Sequence, residues 1–346
     1  MTKVYVGMSG GVDSSLTAAL LAEQGYDVTG VYMKNWTQDL PGMRCPWADD
    51  LADAKRVAVQ LGIDFKVFDF ETEYREKVVE YMIDEYKHGR TPNPDIMCNQ
   101  EVKFKLFLET ALEDGADMIA TGHYARVKDG VLLQAVDTNK DQTYFLYRVT
   151  GDALKKTLFP LGEFTKPVVR EMAKERGLYT AAKKDSQGIC FVGQIGIREF
   201  LSQYVEQKAG SIVDKQTGKV LGQHDGAIFY TIGQRHGLDV GGGLPYYVVG
   251  KDMEKNEVYV TTNLNDDTLW RGELTVASSH WINETPEDGT CQVRVRHRAP
   301  LVTAMLSIGE RGETQLVLQD PERAVAPGQS IVIYRGDVCI GGGIVA

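Results

Sequence analysis

Near the N-terminus, Ser9-Gly10-Gly11-Val12-Asp13-Ser14-Ser15 joins a short apolar run, Val4–Met8, to an Ala- and Leu-rich helical pattern over Ser14–Glu23. The glycines of Gly7–Ser15 permit backbone conformations closed to other residues and let the main chain approach a ligand closely. Amides exposed in such a loop and at the following helix N-terminus make an anion site. The loop lacks the Gly-Lys-Ser/Thr ending of a Walker A motif. It therefore suits a pyrophosphate leaving group better than transfer of a terminal phosphoryl. Gly7, Met8, Ser9, Gly10, Gly11, Val12, Asp13 and Ser14 are the expected nucleotide contacts, with the hydroxyls of Ser9, Ser14 and Ser15 toward phosphate and Asp13 toward magnesium.

Two cysteines stand in unusual company. Cys98 lies in Thr91-Pro92-Asn93-Pro94-Asp95-Ile96-Met97-Cys98-Asn99. The two prolines suggest a stiff loop, with the next helix starting near Asn99–Glu101. A cysteine just ahead of a helix N-terminus has its thiolate favoured by the dipole. Asp95, three residues earlier, could shuttle a proton if both side chains face one pocket. Cys190 lies in Lys183-Lys184-Asp185-Ser186-Gln187-Gly188-Ile189-Cys190-Phe191-Val192-Gly193. A Gly-flanked loop could carry its sulfur to a partner, and nearby lysines would lower its pKa. The same cysteine reads equally well as an inert apolar side chain beside Ile189 and Phe191.

The elements that must position these residues follow from periodicity. Strand patterns at Val28–Met33, Phe65–Phe70 and Asp117–Thr121 alternate with helical patterns at Trp47–Leu61, Glu71–Tyr86 and Glu101–Glu113. Repeated β-α units predict a doubly wound parallel sheet covered on both faces. Ligands of such sheets sit at the carboxyl ends of strands, so Met33 and Gly122 are expected beside adenine and ribose. Asp129-Gly130 predicts a hairpin, Tyr124–Lys128 with Val131–Val136, added to that sheet. A helix capped by Thr165 with Pro167 in its first turn should run to Arg176. Beyond Gly210, short β-like stretches appear at Ile228–Ile232, Tyr246–Val249 and Glu257–Thr261. Alternating runs at Cys291–Arg298, Leu301–Ile308, Thr314–Leu318 and Ser330–Tyr334 predict a small antiparallel barrel or sandwich. The expected division is a catalytic α/β domain over 1–197, a small linking domain over 198–270 and a C-terminal β-barrel over 271–346.

The bulk numbers limit the rest. A chain of 346 residues, 43% hydrophobic and 25% charged, suits two or three globular domains. No apolar run reaches the ~20 residues of a membrane span, and no signal-peptide layout is present, so a cytoplasmic protein is expected. Five cysteines without a CxxC pair argue against a disulfide scaffold or structural zinc. A net charge of −10 argues against general nucleic-acid binding but leaves room for a local basic surface. Lys155-Lys156, Lys183-Lys184 and Arg294-Val295-Arg296-His297-Arg298 are the basic clusters, each read first as a solvated face.

The loop Ser9–Ser15 resembles the signature of the PP-loop ATP pyrophosphatase superfamily. Together with Asn93-Pro94-Asp95…Cys98-Asn99 and Asp185-Ser186-Gln187-Gly188-Ile189-Cys190-Phe191, it is similar to the tRNA-specific 2-thiouridylase (MnmA) family. The resemblance continues through Tyr230–Leu238, Gly241–Pro245 and Asp337–Ile344, so it spans the chain. It implies that ATP, with Mg2+, adenylates the C2 oxygen of the wobble uridine in tRNA. Cys190 would then carry sulfur as a persulfide, and Cys98 would close a transient disulfide with it. It also implies tRNA contacts at Asn93, Pro94, Asp95, His123, Lys140, Asp141, Gln142, Arg296, His297 and Gln329. Relatives often carry Arg-Tyr where this chain has Arg296-His297, which removes a phenolic contact there while leaving a ring that can stack. The implied partners are tRNA and a persulfide sulfur-donor protein, with the enzyme a monomer. Another PP-loop ligase needs no cysteine pair, and an RNA-binding protein with a relict nucleotide site needs no intact Ser9–Ser15 loop.

Overall fold

A computed structural model describes residues 1–39, 45–184, 196–241, 243–310 and 312–346. Its first layer is built from β1 (Lys3–Gly7), β2 (Asp27–Lys34), β3 (Asp64–Asp69) and β4 (Met118–Ala120). The hairpin β5 (Arg126–Lys128) and β6 (Val131–Leu133) follows, and then the two-residue strand β7 (Thr157–Leu158). The order β3-β2-β1-β4-β7 is parallel throughout. Alternate residues of β1 serve opposite faces, Tyr5 packing with Val31 and Phe107, and Val4 and Val6 with Val28 and Ala18. The sheet is thus covered on both sides, as its apolar strands require.

Four helices matter for the site: α1 (Val12–Glu23), α2 (Trp47–Leu61), α3 (71–87) and α4 (94–113). Both α3 and α4 contain π-helical stretches, at Arg75–Glu80 and Cys98–Leu106. The expected helix start near Asn99 is corrected by the N-terminus of α4. Asn93 caps it, its side chain accepting from the amides of Asp95 and Ile96, and Pro94 occupies the first turn. Proline there loses no hydrogen bond and is already set to the helical φ, so the second proline opens a helix instead of stiffening a loop. A fifth helix, α5 (Lys166–Glu175), begins after Thr165, whose hydroxyl makes no cap bond. Asp137 caps it instead, its Oδ2 accepting from the Lys166 amide at 2.9 Å.

The middle of the chain forms a sheet of β8 (Gly210–Asp214), β9 (Val220–His224), β10 (Tyr247–Asp252) and β11 (Glu257–Thr261) in the order β10-β11-β8-β9. The expected strand at Ile228–Ile232 is a single 3-10 turn, Ala227–Phe229. Ala227, Ile228 and Tyr230 are all buried, so an apolar run read as a strand is an irregular core segment.

The C-terminal strands are β12 (Trp270–Trp281), β13 (Gly289–Arg294), β14 (Val302–Ile308), β15 (Thr314–Arg323), β16 (Ser330–Arg335) and β17 (Val338–Val345). They pair in the order β12-β15-β14-β13-β16-β17, and β12 meets β17 to close an antiparallel barrel. The β5–β6 hairpin does not extend the parallel sheet. It joins the barrel, Leu133 pairing with Val338 and Leu132 with Cys339. Its edge hydrogen bonds are satisfied across the domain junction, which local sequence does not reveal. Further ties cross that junction: the Thr91 amide donates to Pro327 O, and the Tyr144 hydroxyl to Ser330 O. No described helix is long and apolar enough to cross a membrane.

Candidate active site

The strand order reverses between β1 and β4, and the loop leaving β1 opens there, where doubly wound sheets bind ligands. The loop is held by its own hydroxyls. The Ser9 amide donates to Ser14 Oγ at 3.1 Å, and Ser15 Oγ donates to Gly11 O at 2.7 Å. Gly10 has φ +72°, and a Cβ on it would stand 2.4 Å from Asp50 O of α2. A Cβ on Gly122, after β4, would stand 2.9 Å from Asp13 C and Ser14 N. Only glycine lets these segments close on one another. The side chain of Val12 turns into the core beneath the loop.

A cavity of about 310 Å3 lies over this loop. Gly7, Met8, Ser9, Asp13, Ser14, Met33 and Gly122 line it, so most of the expected nucleotide contacts meet in one place. Gly10 and Gly11 shape the loop beneath. Aromatic side chains of Tyr32, Trp36 and Trp47 form further wall, and Asn35 Oδ1 is buried there without a hydrogen-bond partner. An unpaired buried amide oxygen beside rings and a phosphate loop fits the base and phosphates of a nucleotide. His123 and Gln142 line the same cavity.

Asp13 lines this cavity with its carboxylate already paired. Lys166 Nζ reaches both its carboxylate oxygens, at 2.7 and 2.8 Å, and the Tyr124 hydroxyl donates to Oδ1 at 2.9 Å. Among the described residues no cluster of three acidic, histidine or cysteine side chains could hold a metal ion. A magnesium ion here would take its remaining ligands from phosphate oxygens and water, the usual habit of that ion.

Cys98 lies within α4, not ahead of it, and is 1% exposed. The expected lowering by the helix dipole is corrected. Burial pushes the thiol pKa up, opposed by the charge of Lys103, reinforced by Asp95 and opposed again by the nearby Tyr74 hydroxyl. Lys103 and Tyr74 both line the nucleotide cavity, so Cys98 sits just behind its wall. The half-buried His123 is wedged against Phe104 and Phe159, with ring centroids at 5.6 and 6.1 Å. Burial and then the Lys103 charge hold its pKa well below the ordinary value. Cys190 lies outside the described residues. Cys45 lines the cavity, and its thiol is kept protonated chiefly by burial.

A second cavity of about 280 Å3 opens where the N-terminal domain, central sheet and barrel meet. Asn93, Arg296, His297 and Gln329, expected as tRNA contacts, line it together with Thr231 and Ile232. His297 packs against Phe145, with centroids 4.5 Å apart and the rings tilted at 44°. Pro94 is buried in the first turn of α4, Asp95 is half-buried beside it, and Lys140 lines neither cavity.

Asp141 departs from expectation. It is 2% exposed, and its oxygens accept from the Ala135 amide, Thr143 Oγ1 and Arg294 Nη1 at 3.0, 2.8 and 2.9 Å. This carboxylate joins the hairpin segment to the barrel, its oxygens engaged within the protein. Arg294, read as part of a solvated basic run, is its buried partner. Lys183 likewise pairs with Asp50 and Asp53, which ties the segment before Cys190 to α2.

Sequence reading missed Lys166, Lys103, Tyr74 and Asn35. Lys166 had one signal, a lysine at the first helical position, where its charge opposes the helix dipole and calls for a carboxylate partner. Tyr74 and Asn35 carried none beyond their place at the ends of predicted elements.

Three family models match consecutive stretches of the chain. They are described as a tRNA methyl transferase HUP domain over residues 2–194, a tRNA methyl transferase PRC-barrel domain over 198–262 and an aminomethyltransferase beta-barrel domain over 271–345. A tRNA-specific 2-thiouridylase MnmA of Listeria monocytogenes is 49% identical over 99% of this chain and 94% of its own length. The protein of that name from Bacillus subtilis is 48% identical over 99% of this chain and 95% of its own. The models' descriptions speak of methyl transfer and the relatives' names of thiolation. The relatives weigh more, since they are compared residue by residue along both chains, and the phosphate loop beside Cys98 fits their chemistry. With such identity along almost the whole length, this chain belongs to the tRNA-specific 2-thiouridylase family.

Proposed function

We propose that this protein is a tRNA-uridine 2-sulfurtransferase, which adenylates the C2 oxygen of a wobble uridine with ATP and replaces it with sulfur. The observation that carries the reading is that the phosphate loop after β1 and the Cys98 helix border one cavity, through Ser9, Asp13 and Ser14 on one side and Lys103 of α4 on the other, with Tyr74 of α3 beside it. Adenylation turns a poor oxygen leaving group into AMP and releases pyrophosphate. The loop amides would hold the phosphates, Lys166 would steady Asp13, and Asp13 would help hold a magnesium ion that offsets the charge of the pyrophosphate leaving group.

The sulfur steps use both cysteines. The terminal sulfur of a Cys190 persulfide attacks C2, forming a C–S bond as AMP departs. The Cys98 thiolate then attacks the inner sulfur. The S–S bond breaks toward the base, 2-thiouridine is left, and a Cys98–Cys190 disulfide forms. A thiol reductant supplies the two electrons that reopen it, and a protein persulfide donor reloads Cys190. Asp95 would exchange the Cys98 proton. The target base must leave its stack to reach the cavity. In this reading the second cavity, with Asn93, Arg296, His297 and Gln329, and the nearby Pro94 and Lys140 hold flanking tRNA, while His123 and Gln142 face the target base. The enzyme acts as a cytoplasmic monomer divided at about residues 197 and 270, and the unpaired state of the described cysteines supports a reducing compartment.

The test is a thiolation assay on unmodified tRNA with ATP and a persulfide donor, read by nucleoside mass spectrometry. Wild type should form wobble 2-thiouridine, while Cys98→Ser and Cys190→Ser should form none yet still release pyrophosphate. Full activity in both variants would sink the sulfur-transfer reading.

A further inference from the structure

Cys98 and Lys103 stand five residues apart on α4. In a regular α-helix that spacing turns two side chains roughly 140° away from each other, at 3.6 residues per turn. Here the backbone over Cys98–Leu106 is π-helical, closing its turns between residues i and i+5. The wider turn carries Lys103 round toward the Cys98 face. A second π-helical stretch, Arg75–Glu80, begins directly after Tyr74 and packs beside the first. Two rare turns therefore flank one sulfur, an arrangement that α-helical sequence periodicity does not require. Both side chains they aim line the nucleotide cavity, with Cys98 immediately behind.

We infer that Lys103 and Tyr74 are positioning residues for the sulfur-transfer step, held by paired π-turns so that one ammonium and one hydroxyl sustain the Cys98 thiolate. The inference rests on the reading of Cys98 as nucleophile. The proton leaves Cys98 by way of Asp95, while Lys103 keeps its own. The groups acting on the thiol are consistent with this: Lys103 and Tyr74 favour the charged form, and burial and Asp95 oppose it. His123, also facing Lys103, stays neutral and does not compete as a cation.

The ultraviolet absorbance of the Cys98 thiolate against pH tests the arrangement. It is taken on the full chain as the difference between each protein and its Cys98→Ser counterpart. Lys103→Gln should move the titration upward by about one pH unit, the size of one nearby charge on a buried group. Tyr74→Phe should move it upward by less, and Lys103→Arg should restore it. Thiolation activity should fall with the thiolate fraction at neutral pH. A titration unmoved in Lys103→Gln overturns the inference. Should that variant fail to fold, an unmoved titration in Tyr74→Phe does the same. If instead Cys98→Ser keeps its thiolation activity, the nucleophile assignment fails, and the titrations still report whether Lys103 and Tyr74 act on the sulfur.

Discussion

The two cavities are built in opposite ways. The nucleotide cavity is made from strand ends and helix starts of one sheet, with its phosphate loop in a single uninterrupted stretch, Gly7–Ser14. The junction cavity takes Asn93 from the start of α4, Thr231 from the central segment, and Arg296 and Gln329 from the barrel. The first is preformed by backbone constraint, chiefly the close approach of Gly10 to α2 and of Gly122 to the loop. The second is set by domain docking, through Thr91 on Pro327, Tyr144 on Ser330 and the buried Asp141–Arg294 pair. A site fixed by backbone is intolerant of single atoms, whereas one fixed by docking spreads its tolerance over many contacts.

The largest effect should come from one methyl group. Gly10→Ala places a Cβ against Asp50 O at a φ of +72°, where non-glycine residues are strained. Adenylation, read as tRNA-dependent pyrophosphate release, should drop by about a hundredfold, the equivalent of about 2.7 kcal/mol. Affinity for tRNA should stay within a factor of two or so if the cavities are energetically separate. A matching loss of tRNA binding would show that the loop also organises the junction.

A smaller effect is expected on the other side. Arg296→Ala removes one cation from the junction cavity. Binding to tRNA should weaken by roughly tenfold, and the slope of log affinity against log salt should fall by about one. The KM for ATP should not change. An unchanged salt slope would mean that Arg296, whose Nη2 donates to Arg323 O, serves the barrel and not the RNA.

The same contrast explains what the sequence disclosed. The α/β order and the phosphate loop were legible because each is written locally, in apolar periodicity and in a run of glycine and serine. The barrel strands were legible by alternation, as with Leu316 and Leu318 inward against Gln315 and Val317 outward. Partners far apart in the chain were not. Asp141 looked like a surface contact because nothing local announces Arg294, 153 residues away. The β5–β6 hairpin is legible in Asp129-Gly130, but the sheet it joins is not, since its partner strand β17 comes last in the chain. Cys98 was found by its company and misjudged in its setting, because Pro94 reads alike as a loop residue and as a helix opener.

The smallest effect concerns how the nucleotide cavity holds together in acid. His123 is neutral when folded, its pKa held well below the ordinary value first by burial and then by Lys103. The unfolded chain binds a proton at this residue near the usual pH of ~6.5, and the folded chain does not. Below that pH the unfolded state binds more protons, so the stabilising difference is present at neutral pH and lost on acidification. The loss cannot exceed about 1.4 kcal/mol per pH unit for one group. His224, His280 and His297 are also lowered by burial and share the trend, so wild type alone does not isolate the residue. Urea unfolding of wild type and His123→Gln at a series of pH values below neutrality separates them. The variant should lose less stability on acidification, by up to about 1 kcal/mol over one pH unit. Parallel curves would mean that His123 takes up a proton when folded. The cavity wall at Phe104 and Phe159 would then admit water to the ring, and the contrast between a rigid nucleotide site and an adaptable junction would narrow.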